Sequence, residues 1–232
     1  MDKQIESEFD AYRSTYRDAV NDAISFSGLK VDFFTKAKAA HLLNLLALKV
    51  GTPHNLSILD VGCGVGVYHP LLRGCVGKIT GVDLSRECLE EAGISNPDVV
   101  YRHYSGSALP FKDDVFDASF AICVMHHVPP SQWANFVSEM ARVTRAGGLV
   151  ILFEHNPFNP LTRRAVNTCP FDADAVLLSK KMVSEYLLIT GLKNVEGRYI
   201  LTIPAIDGFP LMIDRMFGRL PLGAQYFVYG TP

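Results

Sequence analysis

Hydrophobic positions along the chain change their period twice. Residues 1–30 are polar with interspersed aromatics, Phe9, Tyr12, Tyr16 and Phe26. From Phe33 to Val50 the apolar positions fall near helical spacing, through Phe34, Ala37, His41, Leu45 and Leu48, and Gly51 and Pro53 supply the stop. The runs SILDVG, KITGVDL, VVYRHY, FDASFAIC and GLVILFE are instead short, rich in β-branched or aromatic residues, and bounded by Gly, Pro or Asp. They predict strands. Between the last two, Ser131 to Arg145 carries one apolar face (Trp133, Phe136, Val137, Met140, Val143), with Ser131 placed to cap its start and Gly147-Gly148 to end it. A helix over Ser179–Thr190 and strands over Val195–Ile203 and Gln225–Tyr229 follow. Pro204 to Pro221, between those strands, is apolar and punctuated by Gly and Pro.

Strands that alternate with helices form βαβ units, and such units build a parallel sheet covered on both faces. The expected fold is therefore α/β: a doubly wound, mostly parallel seven-stranded sheet. Residues 1–50 read as an N-terminal helical extension and residues 51–232 as the sheet domain. A chain of 232 residues suffices for this.

Composition narrows the function classes. With 48% hydrophobic and 20% charged residues the chain is ordinary globular material. A net charge of −2 without a basic run argues against a nucleic-acid partner, because phosphate neutralisation needs clustered Lys and Arg. The five cysteines, Cys63, Cys75, Cys88, Cys123 and Cys169, contain no CxxC pair and read as reduced thiols, so no metal site is expected. The N-terminus has no apolar core of a secretory signal, and no run approaches the roughly 20 residues of a membrane span. The expectation is a soluble, cytoplasmic protein.

The strongest chemical signal is ILDVGCGVG, residues 58–66. A buried strand runs into Asp60, and Gly62, Gly64 and Gly66 follow at every second position. Such glycines let the backbone turn sharply and approach a ligand without a Cβ in the way. A dinucleotide fingerprint, GxGxxG, would place its third glycine at position 67, which is Val67, so the spacing argues against NAD. In GVDLS, Asp83 ends the next strand, where doubly wound folds place a carboxylate for a ribose diol.

With ILDVGCGVG and GVDLS, the further runs GSALPF, FDASFAICVMHHV and RVTRAGGLVILFE make the chain resemble the class I S-adenosylmethionine-dependent methyltransferases of the small-molecule and lipid subgroup. The resemblance spans about Asn55 to Glu154. It implies S-adenosylmethionine as cofactor and S-adenosylhomocysteine as product. Asp60 and the loop Gly62, Cys63, Gly64 and Gly66 would hold the methionine part, and Asp83 and Leu84 the ribose. Ala121 would lie beside the sulfonium, and Ser107 and Ala108 beside the adenine. The family carries Asp where this chain has Ser107, which offers only a neutral hydroxyl.

The implied activity is methyl transfer to a small-molecule or lipid-like acceptor, with oxygen, carbon and nitrogen all open as the receiving atom. Two other readings stand beside it: a non-catalytic cofactor-binding protein on the same fold, and a nicotinamide-dependent oxidoreductase, against which the glycine spacing counts. His126 and His127, just after the fourth strand, are either a general base or loop packing. Tyr12, Tyr16, Phe33 and Phe34 either close over the cofactor as a lid or anchor a terminal helix. The apolar Pro204–Pro221 segment either lines an acceptor pocket or forms a homodimer contact. FEHNPFNP follows the fifth strand, so its Asn-Pro-Phe is read as a rigid loop on the acceptor side. From there His155, Asn156 and the following Leu161–Asp172 segment, with Arg163 and Arg164, are candidates to touch the acceptor.

Overall fold

The computed structural model of the chain describes residues 16–206 and 208–232. Seven strands form one sheet: β1 (Ser57–Val61), β2 (Lys78–Asp83), β3 (Val100–His103), β4 (Phe116–Ile122), β5 (Thr144–His155), β6 (Lys193–Ile200) and β7 (Gln225–Thr231). Their spatial order is β3-β2-β1-β4-β5-β7-β6. β1 to β5 run parallel to one another, while β7 is antiparallel to both β5 and β6. The doubly wound, mostly parallel sheet read from the sequence is the one observed.

Period-2 geometry explains why both faces are apolar. Successive side chains of a strand point to opposite faces, so a strand buried on both must be hydrophobic throughout. Leu59, Val61, Ala121, Val150 and Leu152 face one layer, filled by Trp133, Phe136, Val137 and Met140 of α5 (Trp133–Val143) and by Val183 and Leu187 of α7 (Lys180–Ile189). Ile58, Ala118, Phe120, Leu149, Ile151 and Phe153 face the other, filled by Ala37, Leu42, Leu45 and Leu46 of α2 (Val31–Lys49). The remaining helices are α1 (Tyr16–Ile24), α3 (His69–Leu72), α4 (Arg86–Ser95), α6 (Pro160–Thr168) and α8 (Gly208–Phe217). Among the described residues no helix is long and apolar enough to cross a membrane.

Three expectations change. α2 packs into one of the two core layers, so the helix that the sequence assigned to an N-terminal extension belongs to the body of the domain. Ser131 does not cap α5: it lies in the short 3-10 turn Pro130–Gln132, and Gln132 takes the cap position without a side-chain hydrogen bond. The Trp133 indole N–H anchors the start instead, donating to the carbonyls of Met125 (3.0 Å) and Val128 (2.8 Å). That helix also ends at Val143, because Thr144 onward pairs with β4, through a register shift between Phe116 and Ala118. Finally, Pro204–Pro221 contains α8, and Met212, Met216 and Phe217 on it remain exposed.

β6 stops at Ile200 because Leu201 adopts φ 62°, a left-handed conformation uncommon for a branched side chain. The fully buried Asp214 of α8 holds this turn by accepting the backbone N–H groups of Leu201 (3.1 Å), Thr202 (2.7 Å) and Ile203 (3.0 Å). Asp214→Ala leaves buried donors without a partner and is expected to cost about 3 kcal/mol, since hydrogen bonds to charged groups are worth about 1.5–3 kcal/mol. Chemical denaturation measures this, and a loss under about 1 kcal/mol would show that water replaces the carboxylate.

Candidate active site

In open α/β sheets a ligand crevice forms outside the C-terminal strand ends, where the strand order reverses. Here the reversal lies at β1, between β2 and β4. A cavity of about 690 Å³ opens at that place, within the range of roughly 300–1,000 Å³ usual for ligand pockets. Its floor is made by the loops after β1, β2, β4 and β5. Its roof comes from α1, the start of α2, and α6, and the Arg164 guanidinium of α6 lies 4.7 Å from the Phe26 ring.

The glycine loop is shaped by two contacts. Gly62 has φ 76°, and a Cβ there would come within 2.6 Å of Val124, so only glycine lets the loops after β1 and β4 meet. Gly64 donates its N–H to Asp83 Oδ2 at 2.7 Å, tying the loop to the end of β2. The other Asp83 oxygen accepts from Ser85 N–H at 2.9 Å. Burial raises the Asp83 carboxyl above the ordinary value, partly offset by these N–H groups. Asp60, buried beneath the loop, is bound by His69 Nε2 at 3.0 Å, and His69 Nδ1 meets the Tyr101 hydroxyl at 2.6 Å.

Asp60, Gly62, Cys63, Gly64, Asp83 and Leu84 all line the cavity. Gly66 does not: a Cβ there would strike Tyr101, His69 and Asn96, so its service is close packing behind the loop. Ser107 and Ala108 are exposed and outside the lining, and Gly106, Tyr104 and Phe136 face the cavity instead. Ala121 is buried in the core layer, and its successors Ile122 and Cys123 reach the cavity. Tyr12 and the side chain of Tyr16 lie outside the described residues, whereas Phe33 and Phe34 line the cavity.

The site fits S-adenosylmethionine. The ideal Cβ position of Gly64 has no atom within 4 Å, leaving the loop open towards the cavity. Backbone N–H groups of Gly64, Ser85 and Leu84 hold the Asp83 carboxylate, and a carboxylate has about four acceptor positions, so a ribose diol can still be received.

The part of the cavity beyond β4 and β5 is built around a buried carboxylate. Glu154, near the end of β5, accepts Met125 N–H at 2.8 Å with one oxygen and meets His126 Nδ1 at 2.5 Å with the other. On the far side of the ring, His126 Nε2 stands 3.5 Å from Asp172 Oδ1, and His127 Nε2 stands 3.6 Å from the same oxygen. Burial pulls the His126 pKa down, but the charge of Glu154 and the hydrogen bonds that the ring donates to Asp172 and Glu154 outweigh it, and it rises to about 10. His127 behaves oppositely: burial and the charge of His126 press it down to about 3. At neutral pH one ring is therefore a cation and the other a neutral imidazole.

His155 also lines the cavity, beside Cys123. Burial alone would raise the Cys123 thiol, but the Lys38 ammonium, 3.6 Å from its Sγ, and His155 bring it down to about 7. Asn156 and Arg163 do not touch the cavity. The buried Asn156 amide donates to the carbonyls of Pro221 (3.0 Å) and Gly223 (2.7 Å), and its Oδ1 accepts Phe158 N–H, so it locks the FEHNPFNP loop onto the C-terminal segment. Arg163 is exposed on the outer side of α6 and borders a separate shallow depression.

Lys38, Cys123, Glu154 and Asp172 were not singled out in the sequence. Lys38 had a detectable signal, being on the apolar stripe of α2 four residues after Phe34. Glu154 had another, as a lone charge closing an apolar strand. Asp172 was reached only as the end of the Leu161–Asp172 segment, because only the fold brings it to the histidines.

Residues 59–152 match a family model described as a methyltransferase domain. Over 112 residues the chain is 35% identical to the malonyl-[acyl-carrier protein] O-methyltransferase of Buchnera aphidicola, covering 47% of this chain and 43% of that protein. Over 193 residues it is 27% identical to the 2-methyl-6-phytyl-1,4-hydroquinone methyltransferase of Synechocystis sp., covering 77% of this chain and 58% of that protein. The matches thus span about half the length of these curated relatives. Among solved structures, an S-adenosylmethionine-dependent methyltransferase from Thermotoga maritima superposes with a TM-score of 0.61 at 19% identity, covering 86% of this chain and 92% of that one, a likeness of fold.

The Glu154–His126 pair sets a pH dependence. The folded pKa of His126, about 10, lies above the ordinary value of 6.5, so its stabilisation is fully present below about pH 6.5 and is lost as pH rises through about 10. His126→Gln leaves Glu154 buried without its counter-charge and is expected to cost about 3–5 kcal/mol near neutral pH. Urea unfolding across this range should show the gap from wild type closing as pH rises through about 10; a constant gap would remove the ion pair as its source.

Proposed function

We propose that this chain, a member of the class I S-adenosylmethionine-dependent methyltransferase family, transfers the cofactor's methyl group to a small-molecule or lipid-like acceptor. The observation that carries this reading is the Asp83 carboxylate, bound to the glycine loop and facing a cavity at the switch point. The cofactor, when bound, supplies a methyl group already activated on a positive sulfur. The chain's own task is then positioning, which can be worth roughly 7–11 kcal/mol when reactants are held near attack geometry.

Asp83 accepts the ribose hydroxyls, the open backbone at Gly62–Gly64 receives the methionine part, and Leu84, Gly106 and Phe136 bound the adenine. This arrangement does without Ser107. Ile122, Cys123 and Val124 then lie beside the sulfonium. On the other side, Phe26, Phe33, Val166, Leu201 and Leu222 give the cavity an apolar wall suited to an acceptor with an apolar portion. The receiving atom belongs at the polar end, with His127, Asp172 and His155. His126, held as a cation by Glu154, is no general base at neutral pH, whereas neutral His127 can accept a proton.

Calorimetric titration with S-adenosylhomocysteine should give one site per chain. Asp83→Asn, which keeps size and loses charge, should bind about 10–100-fold more weakly, the equivalent of about 1.5–3 kcal/mol for charged hydrogen bonds. Equal affinities would remove Asp83 from the site. With labelled S-adenosylmethionine and a metabolite extract, wild type should label an acceptor. His127→Ala should lower that rate about 100-fold or more, with S-adenosylhomocysteine affinity within about twofold. Cofactor binding without labelling of any extract would favour a non-catalytic binding protein.

A further inference from the structure

The geometry points to a divalent metal site at the acceptor end of the cavity, with His126 Nε2, His127 Nε2 and an Asp172 carboxylate oxygen as its three protein ligands. One ligand atom from each of these residues lies within 4.8 Å of the others. Two of their separations, 3.5 Å and 3.6 Å, are close to the roughly 3.4 Å edge of a tetrahedron whose metal–ligand bonds are about 2.0–2.2 Å. All three residues line the cavity, so the remaining coordination positions open towards it. Three protein ligands with an open position is the arrangement of catalytic sites, whereas structural zinc sites are closed by four.

The surroundings resemble a built ligand shell. Metal-binding histidines commonly give their other ring nitrogen to a carboxylate, which fixes the ring. Glu154 does this for His126: one oxygen holds Nδ1 at 2.5 Å while the other is pinned by Met125 N–H at 2.8 Å. Nε2 is thereby aimed away from the core towards Asp172, and a metal bound there would take the place of the Nε2 proton, which is released on binding. Asp172 is set by its own backbone, donating its N–H to Cys169 O (3.1 Å), and Val176 N–H bonds His126 O (2.9 Å) to join the two segments. Two imidazoles and one carboxylate suit zinc, cobalt or iron better than calcium or magnesium, which favour all-oxygen shells.

With such an ion bound, His127 would serve as a ligand rather than as a base, and the ion, a Lewis acid, would lower the pKa of a water or acceptor hydroxyl in its open position. Its place in catalysis rests on the methyl-transfer reading and points to an acceptor that presents an oxygen; the binding of the ion does not rest on that reading.

The test uses the full chain, stripped with chelator and titrated with CoCl2 while visible ligand-field absorption is recorded. One equivalent of Co2+ should bind and be displaced by Zn2+. His127→Gln and Asp172→Asn, each confirmed as folded by circular dichroism, should bind at least about 100-fold more weakly. Glu154→Gln, acting through His126, should weaken binding by about 10–100-fold. Wild type that binds no Co2+, or folded variants that bind it as wild type does through the thiols, would overturn the site. Because the titration contains no cofactor, a chain that binds S-adenosylhomocysteine but not Co2+ loses only this inference, and the reverse result removes only the methyltransferase reading.

Discussion

A carboxylate inside an apolar sheet must have its charge answered, and Glu154 makes that demand near the end of β5. Moving a lone ion from water to a dry interior costs several kcal/mol, so partners have to be brought to it. Met125 N–H and the His126 ring answer it, and both belong to the loop leaving β4. The result is that the end of β5 fixes the course of the β4 loop. Trp133 then fastens to the carbonyls of Met125 and Val128, which sets where α5 starts. The charge created on His126 in turn draws Asp172 in from the segment after α6. One ionic requirement thus organises four stretches of chain around one end of the cavity.

The other end depends on close approach rather than on charge. The loops after β1 and β4 leave the sheet in opposite directions, which opens a crevice, yet at its base Gly62 touches the position of Val124 so closely that no Cβ fits. Gly64 reaches across to Asp83 and ties the ends of β1 and β2 together at the floor of the cavity. Its roof is of a different kind, made by α1 and α6, where Phe26 meets Arg164 across a cation–π contact.

Charge is divided along the cavity. Asp60 and Asp83 face the glycine-loop end, and Lys38, His127, His155 and Asp172 face the other, with apolar side chains between them. The adjacent histidines show how much position decides. Their ring centroids are 4.1 Å apart, but one is paired with a buried carboxylate and raised to about 10, while the other feels that cation and falls to about 3. Two residues of the same type, side by side in sequence, are thereby given opposite protonation states at neutral pH.

The sequence by itself determined what depends on local pattern. The strands, α2 and the face of α5 were legible because burial imposes a period on residue type, and ILDVGCGVG and GVDLS were legible because tight turns and strand ends demand particular residues. Boundaries were less so: Ser131 looks like a cap, but Trp133 and a register shift in β5 place the helix otherwise. Tertiary structure alone decided which side chains share the site. Asn156 reads as an acceptor contact and is consumed holding the carbonyls of Pro221 and Gly223. Ser107 and Arg163 point to solvent, while Glu154 and Asp172, from separate segments of the chain, meet at His126. The physical reason is that hydrogen bonds and ion pairs in this site join residues far apart along the chain, and no periodicity records which of them the fold will bring together.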